Sequence, residues 1–215
     1  MAKTKKIEEK SALLIVDVQN DFCPGGTLAV PCGDEVVEPL NKIIDYFFEN
    51  DLLIVASRDW HPHKTSHFKD FGGVWPIHCV KNTKGAEFHP NLQRPGRITI
   101  VSKGMAMNEN AYSAFDGTNL VIGPNEFNIE LAEYMLGLDI KTLYIGGLAT
   151  DYCVKHTVLD ALKLGFKVYL LEDACRAVNI KPTDGADAIV EMKAAGKKAG
   201  KSKFVLTSVK EVLGK

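Results

Sequence analysis

The sequence lacks long apolar runs and an excess of charge of either sign. No stretch of about 18 consecutive apolar residues occurs, so we expect no transmembrane helix. Lys and Arg together number 26 and Asp and Glu 27, a net charge of −1 that would attract neither nucleic acid nor an anionic membrane. The first ten residues, MAKTKKIEEK, contain no apolar core of a secretory signal. These absences favour a cytoplasmic protein with no nucleic-acid or membrane partner.

Cysteine is scarce and irregularly spaced. The five cysteines are Cys23, Cys32, Cys79, Cys153 and Cys175, and no two of them form a CxxC pair. A zinc ribbon or a thioredoxin-like motif is therefore not indicated, and the odd number predicts reduced thiols. The glycines of GGLATDYC (146–153) do not have the GxGxxG spacing, so NAD is not indicated as a cofactor.

The pattern that is present alternates short apolar runs with segments of helical period. Strands are predicted over 12–17, 52–59, 97–103, 142–147, 167–173 and 203–208, and helices over 36–50, 128–138, 151–164 and 184–196. Continuous Val, Ile and Leu runs are typical of parallel strands covered on both faces. We therefore predict a single α/β domain over 1–215, a three-layer α/β/α fold with a six-stranded parallel sheet. Residues 1–10 are expected to form a flexible N-terminal tail.

Four reactive side chains fall at the ends of predicted strands: Asp17, Asp59, Lys103 and Cys153. Each alone has an ordinary structural explanation, since a strand-end Asp often caps a loop and a strand-end Lys is usually solvated. Ligands of an open parallel sheet, however, bind beyond the carboxyl ends of its strands, where the strand order reverses. Four such groups at one edge therefore predict a catalytic site.

Cys153 stands in the first turn of a predicted helix, where backbone N–H groups and the helix dipole favour a thiolate. Lys103 would add a positive charge, Asp17 could accept the thiol proton, and amides of the 148–153 turn could receive an oxyanion. Two alternatives stay open. Cys153 could be a small buried hydrophobic residue, or His156, three residues further along the helix, could activate the thiol as a Cys–His pair.

A second cluster lies in RDWHPHKTSHF (58–68) and WPIHC (75–79), which supply Asp59, His61, His63, His67 and His78. In extended chain Asp59 and His61 face the same side, and His63 would also face that way. One carboxylate with imidazoles is typical of a catalytic divalent ion, although His-rich loops can simply be solvated. Zinc, iron and manganese all suit these ligands.

Six blocks of the sequence resemble a known family. They are LLIVDVQNDFCPGGTLAV (13–30), RDWHPHKTSHF (58–68), WPIHCVKNTKGAEFHP (75–90), VSKG (101–104), NAYSAFDG (110–117) and GLATDYCVKHTVLDAL (147–162). Together they closely resemble the nicotinamidase/pyrazinamidase branch of the isochorismatase-like cysteine hydrolases. The segments GMAMNENAY (104–112) and DGTNLVIGPNEF (116–127) are less informative.

The resemblance implies roles for particular residues: a catalytic triad of Asp17, Lys103 and Cys153; an oxyanion hole of the Ala149 and Cys153 N–H groups, after a cis peptide Leu148–Ala149; metal ligands Asp59, His61 and His78, with His67 as a further ligand; and a substrate pocket of Phe22, Trp75, Tyr112 and Leu148. Phe22 and Trp75 would sandwich a pyridine ring.

The implied activity is hydrolysis of nicotinamide to nicotinate and ammonia through a cysteine thioester, a reaction of NAD salvage, with pyrazinamide as a further substrate and one divalent metal ion as cofactor. A homo-oligomer is also expected. One alternative is another cysteine amidohydrolase of the superfamily, and the other is a non-catalytic protein that binds a pyridine or a metal. The His61/His78 pair disfavours the first, and the complete Asp/Lys/Cys set disfavours the second.

Overall fold

The computed structural model describes residues 7–109, 111–200 and 202–214. Its centre is one eight-stranded sheet of order β5-β4-β3-β2-β1-β6-β7-β8. The strands are β1 (Ser11–Val16), β2 (Leu53–Asp59), β3 (Thr99–Lys103), β4 (Asn119–Ile122), β5 (Asn125–Asn128), β6 (Thr142–Leu148), β7 (Lys167–Arg176) and β8 (Phe204–Thr207). The helices are α1 (Val37–Glu49), α2 (Leu131–Gly137), α3 (Lys155–Lys163), α4 (Asp184–Ala199) and α5 (Val209–Leu213).

The predicted α/β fold is confirmed, but the predicted strand number of six is wrong. The six predicted strands form the parallel part of the sheet, and an antiparallel hairpin of β4 and β5 extends it beside β3. These two strands are only four residues long, and every residue of β5 is exposed, so neither presents the continuous apolar run of a buried strand. Because β5 occupies 125–128, α2 starts three residues later than the predicted helix.

The two faces of β1 explain the three layers. Its side chains alternate, and all six residues are buried. Leu13 and Ile15 pack in the apolar cluster that contains α1 and α5, whereas Leu14 and Val16 pack in the cluster that contains α2, α3 and α4. Helices therefore cover both faces of the sheet, as the continuous apolar strands predict.

The start of the chain packs against this core where it is described. Residues 1–6 of the predicted tail lie outside the described residues, whereas Ile7 is buried in the α1 side of the core. The carbonyl of Lys10 accepts hydrogen bonds from the N–H groups of Lys141 and Thr142 at 2.8 and 3.2 Å. Within the described ranges, none of the helices has the length and apolar character needed to cross a bilayer.

Strand order brings the reactive residues together. β1 lies between β2 and β6, so the crossovers run in opposite directions on its two sides. Asp17 directly follows β1, Asp59 and Lys103 end β2 and β3 as register partners, and Cys153 follows β6. Their side chains therefore meet at the switch point of the sheet, where α/β proteins bind ligands.

Candidate active site

Lys103 is the centre of the cluster. Its Nζ lies 3.0 Å from Asp17 Oδ2, 2.5 Å from Asp59 Oδ1 and 3.5 Å from Cys153 Sγ. It also donates to the Ala111 carbonyl at 3.1 Å, and the side chain is buried. The three residues of the predicted triad, Asp17, Lys103 and Cys153, are therefore in contact through the buried ammonium of Lys103.

The two carboxylates differ in basicity. Burial raises the pKa of Asp17, and the Lys103 ammonium and the Ser57 hydroxyl only partly offset this. Burial alone would also raise the pKa of Asp59, but Lys103 and His61 lower it below its usual range. For Lys103, burial alone would lower the pKa, but the two carboxylates raise it well above its usual value. Asp17 is therefore the carboxylate suited to accept a proton, while Lys103 keeps its charge.

The surroundings of Cys153 oppose the thiolate that its helical position favours. Burial raises the pKa of the Cys153 thiol well above its usual value, and the charges of Asp17 and Asp59 add to this effect. The Lys103 ammonium lowers the pKa of the thiol, but by less than burial and the two carboxylates raise it. The proton therefore has to leave as the sulfur attacks, and Asp17, which has a carboxylate oxygen within 4.8 Å of the Cys153 sulfur, is the group placed to receive it.

The segment that carries Cys153 turns sharply from strand to helix. The Leu148–Ala149 peptide at the end of β6 is cis, as the family resemblance implies. A single π-helical turn, Thr150–Val154, follows and leads into α3. The Ala149 carbonyl accepts hydrogen bonds from the N–H groups of Tyr152 and Val154 at 3.0 and 3.1 Å. Cys153 thus stands in the first helical turn, where N–H groups are available to other acceptors.

The structure does not favour activation of the thiol by His156. The imidazole of His156 stacks on the ring of Tyr112, with centroids 5.2 Å apart and an interplanar angle of 23°. Burial lowers the pKa of His156. The charged neighbours of the Cys153 sulfur are Lys103 and Asp17 instead.

Three buried histidines and Asp59 form a cluster beside the thiol. One donor atom from each of His61, His67 and His78 lies within 4.8 Å of the others. Asp59 Oδ2 is 3.6 Å from His61 Nε2 and 3.8 Å from His78 Nε2. His63 is exposed and lies outside this group, because the chain leaves its extended course after Pro62.

Backbone carbonyls fix the orientation of two of these imidazoles. His61 Nδ1 lies 2.9 Å from the Gly104 carbonyl, and His78 Nδ1 lies 2.7 Å from the Pro76 carbonyl. A carbonyl only accepts, so each Nδ1 carries the hydrogen and each Nε2 presents a lone pair. Burial lowers the pKa of His78 to about 4, which keeps it neutral. Among the described residues, the buried His61 Nε2 has no hydrogen-bond partner. This donor set fits a divalent metal ion.

Hydrogen bonds between loops place His78 beside His61. The His61 N–H donates to the Cys79 carbonyl at 3.0 Å, and the Lys81 N–H donates to the His61 carbonyl at 2.9 Å. His61 and Val80 thereby form a short parallel bridge. This single bridge holds the loop that contains His78 next to the end of β2.

Two buried polar residues that support the cluster were missed by sequence reasoning. Gln19 holds the backbone of Asp59: its Nε2 donates to the Asp59 carbonyl and its Oε1 accepts from the Asp59 N–H, both at 2.8 Å. Asp21 Oδ2 accepts from the Cys79 N–H at 2.7 Å. Both lie in the VQNDF segment just after β1, and a polar run directly after a buried strand is the signal from which they could have been predicted.

Cys153 lines a cavity. Of the predicted residues, those lining it are Phe22, Asp59, His67, Trp75, His78, Tyr112, Ala149 and Cys153. Five further lining residues were not predicted: Leu28, Val30, Ala111, Tyr152 and Val178. The predicted pocket residue Leu148 is buried in the core, where its Cδ1 lies beside Gly33. The cavity is therefore largely apolar, with sulfur, carboxylate and imidazoles at its base.

Aromatic contacts form one wall of this cavity. Trp75 Nε1 donates to the Tyr112 hydroxyl at 2.9 Å, and Tyr152 meets the Trp75 ring edge-on, with centroids 4.9 Å apart. On another side, Phe22 lies 5.5 Å from the His78 ring. A flat aromatic molecule would thus enter between rings from separate loops.

Sequence comparison places the chain among known proteins. Residues 11–202 match the Isochorismatase domain family. The chain belongs to the isochorismatase family. Its relatives in this family include the nicotinamidase of Escherichia coli (strain K12), 42% identical over 86% of this chain and 92% of that protein. The nicotinamidase/pyrazinamidase of Mycobacterium tuberculosis is 35% identical over 86% of this chain and 95% of that protein.

Solved structures of the isochorismatase family agree with the fold. One is the crystal structure of the pyrazinamidase of Pyrococcus horikoshii in complex with zinc, whose sequence is 42% identical to this chain. The two structures match with a TM-score of 0.80, and the match covers 93% of this chain and 99% of that chain. The yeast nicotinamidase Pnc1p bound to the inhibitor nicotinaldehyde is 28% identical, with a TM-score of 0.76 covering 92% and 99% of the respective chains.

Proposed function

We propose that this protein hydrolyses nicotinamide to nicotinate and ammonia through a thioester on Cys153. The observation that carries the proposal is the contact of Lys103 Nζ with Asp17, Asp59 and the Cys153 sulfur beneath an aromatic-lined cavity that also contains the histidine cluster. The similarity to nicotinamidases, at 42% identity over most of the chain, supports the choice of substrate.

Acylation begins with the thiol proton. Asp17 takes this proton as Cys153 Sγ attacks the carboxamide carbon of nicotinamide, and a C–S bond forms while the carbonyl oxygen becomes an oxyanion. The N–H groups of Ala149 and Cys153 donate to that oxygen. Loss of one such donor typically lowers the rate about 10²–10³-fold. Asp17 then returns the proton to the amide nitrogen, the C–N bond breaks, and ammonia leaves.

Deacylation uses the same acid and base. A water molecule attacks the thioester carbon and gives one proton to Asp17, the C–S bond breaks, and Asp17 passes that proton to the sulfur. The product leaves as nicotinic acid, which loses its carboxyl proton to solvent and becomes nicotinate. Lys103 stays protonated throughout, because two buried carboxylates surround it. Its charge balances whichever of Asp17 and Cys153 is anionic at each stage.

The pyridine ring would lie between Phe22 and Trp75, with Tyr112 supporting Trp75. We assign one divalent metal ion, zinc, iron or manganese, to Asp59, His61, His67 and His78. When bound, the metal supplies a Lewis-acid contact for the ring nitrogen of the substrate. Pyrazinamide, which also has a ring nitrogen and a carboxamide, is a further proposed substrate. A cytoplasmic location, a homo-oligomer and a single domain over 1–215 stay predictions.

Removal of metal tests both the substrate and the ligand cluster. Exhaustive chelation should lower ammonia release from nicotinamide at least about 10-fold, because a substrate ring without its anchor loses orientation. Add-back of zinc, manganese or ferrous iron, one at a time, should restore it. Ammonia release that is unchanged in protein shown to be metal-free would remove the metal from the account, and no ammonia from the metal-loaded protein would contradict the proposed function.

The hydrogen bond between Trp75 and Tyr112 yields a second expectation. Tyr112→Phe keeps the ring but removes the acceptor of the Trp75 N–H, so KM for nicotinamide should rise about 2- to 10-fold with kcat nearly unchanged. Tyr134→Phe is the matched control, since the Tyr134 hydroxyl lies 3.4 Å from Thr99 Oγ1, away from the cavity. Equal KM values for the Tyr112→Phe variant and the wild type would show that the hydrogen bond between Trp75 and Tyr112 does not contribute to binding of the nicotinamide ring.

The raised pKa of Asp17 sets the acid limb of the pH profile. The carboxylate form is the base, so kcat/KM should fall as pH decreases through the pKa of Asp17. Because burial raises that pKa, the limb should lie above the value of about 4 usual for aspartate. Measurement of kcat/KM against pH, with metal content and circular dichroism followed at each pH, tests this. A profile that stays flat down to pH of about 4 would contradict the assignment.

A further inference from the structure

A buried serine contacts the carboxylate of Asp17. Ser57 Oγ donates to Asp17 Oδ1 at 2.7 Å, and the Ser57 carbonyl accepts from the Asp17 N–H at 3.2 Å. Neither residue is exposed to solvent. Ser57 lies on β2 two residues before Asp59, so both side chains extend to the same face of the strand. Ser57 is absent from the residues lining the cavity.

We propose that Ser57 is a positioning residue that orients the Asp17 carboxylate for proton transfer with Cys153. This inference rests on the proposed function. The two carboxylate oxygens are chemically equivalent until their surroundings distinguish them. Ser57 occupies Oδ1, whereas Oδ2 lies 3.0 Å from Lys103 Nζ and has no hydrogen-bond partner among the described residues, which leaves Oδ2 available to accept the thiol proton. Rotation of the Asp17 carboxylate would break its hydrogen bond with Ser57. Because both residues are buried, a hydrogen bond to solvent cannot replace the one that is lost.

The bond is compatible with every stage of the reaction. An ionised carboxylate only accepts, so Ser57 is the donor when Asp17 is the base. When Oδ2 receives the thiol proton, Oδ1 continues to accept from the same hydroxyl. Ser57 therefore keeps its own proton, and the proton count of the reaction is unchanged. Its contribution is geometric, because it holds one oxygen still while the other exchanges a proton.

Steady-state kinetics of metal-loaded Ser57→Ala, Ser57→Thr and Ser11→Ala test the inference. Ser11 is the matched control, a buried strand serine whose hydroxyl has no hydrogen-bond partner among the described residues. Ser57→Ala should lower kcat for nicotinamide about 10- to 100-fold, with KM within about 2-fold of the wild type. Ser57→Thr, which keeps the hydroxyl, should recover most of that loss, and Ser11→Ala should retain the wild-type kcat.

Alkylation of Cys153 by iodoacetamide, followed by peptide mapping, gives a readout without nicotinamide. Ser57→Ala should react at least about 5-fold more slowly than wild type and Ser11→Ala, because the acceptor of the thiol proton is no longer held in place. This result would support the role of Ser57 even if the wild type released no ammonia from nicotinamide. A wild-type kcat in folded Ser57→Ala, a loss that Ser57→Thr fully shares, or an unchanged alkylation rate would overturn the inference.

Discussion

Cys153→Ala is expected to lose at least about 10⁴-fold of the kcat/KM for nicotinamide, because Cys153 carries the only thiol among the described residues that line the cavity. The sulfur lies at the base of the cavity, 3.5 Å from Lys103 Nζ, and Asp17 receives its proton. An alanine removes the attacking atom while leaving the aromatic walls and the histidine cluster in place. Ammonia release, measured with purified metal-loaded protein, gives the loss directly.

Cys175→Ala provides the matched control for this experiment. Cys175 is also a buried free cysteine, and burial raises the pKa of its thiol to about 12, but unlike Cys153 it does not line the cavity. This variant should keep kcat/KM within a few-fold of the wild type. A Cys153→Ala protein that releases ammonia as fast as the Cys175→Ala protein would rule out the thioester scheme.

Lys103→Met is expected to abolish activity and to lower the free energy of unfolding of the metal-free protein by about 3–5 kcal/mol, the usual cost of removing one partner from a buried ion pair. Methionine is unbranched, uncharged and one atom shorter than lysine, so it fills most of the space but leaves Asp17 and Asp59 buried without a cation. At least one carboxylate would then hold a proton at neutral pH, and Asp17 would no longer act as a base. Urea unfolding and ammonia release measure the two effects.

Lys163→Met separates this effect from the general loss of a lysine. Lys163 pairs with Asp160 on the exposed surface of α3, where an ion pair contributes about 0–1 kcal/mol. Its substitution should leave both stability and turnover near the wild type. A Lys103→Met protein as stable as the Lys163 variant would contradict the central position assigned to Lys103.

The sequence predicted the part of the site that follows from strand order. Apolar runs such as ALLIV before Asp17 and LYIGG before Cys153 identify buried strands, and the ends of parallel strands meet at one edge. The hairpin of β4 and β5 was not predicted, because its strands are short and one is wholly exposed. Strands of this kind depend on pairing with β3 rather than on their own composition.

The protonation state of Cys153 and the supports of the site required the structure. Helix position and a nearby lysine favour a thiolate, but burial raises the pKa of the thiol by more than Lys103 lowers it. Gln19 and Ser57 are partners of Asp59 and Asp17 across 40 residues of sequence. A polar residue near a buried strand indicates that a partner exists, but only the tertiary fold shows which one.

A crystal structure of metal-loaded Cys153→Ala with nicotinamide tests the central claim most directly. The account predicts that the ring lies between Phe22 and Trp75, with its nitrogen toward His61 and His78 and the carboxamide carbon facing position 153 within reach of Asp17. A nicotinamide bound with its carboxamide toward the histidines, or bound outside this cavity, would contradict it.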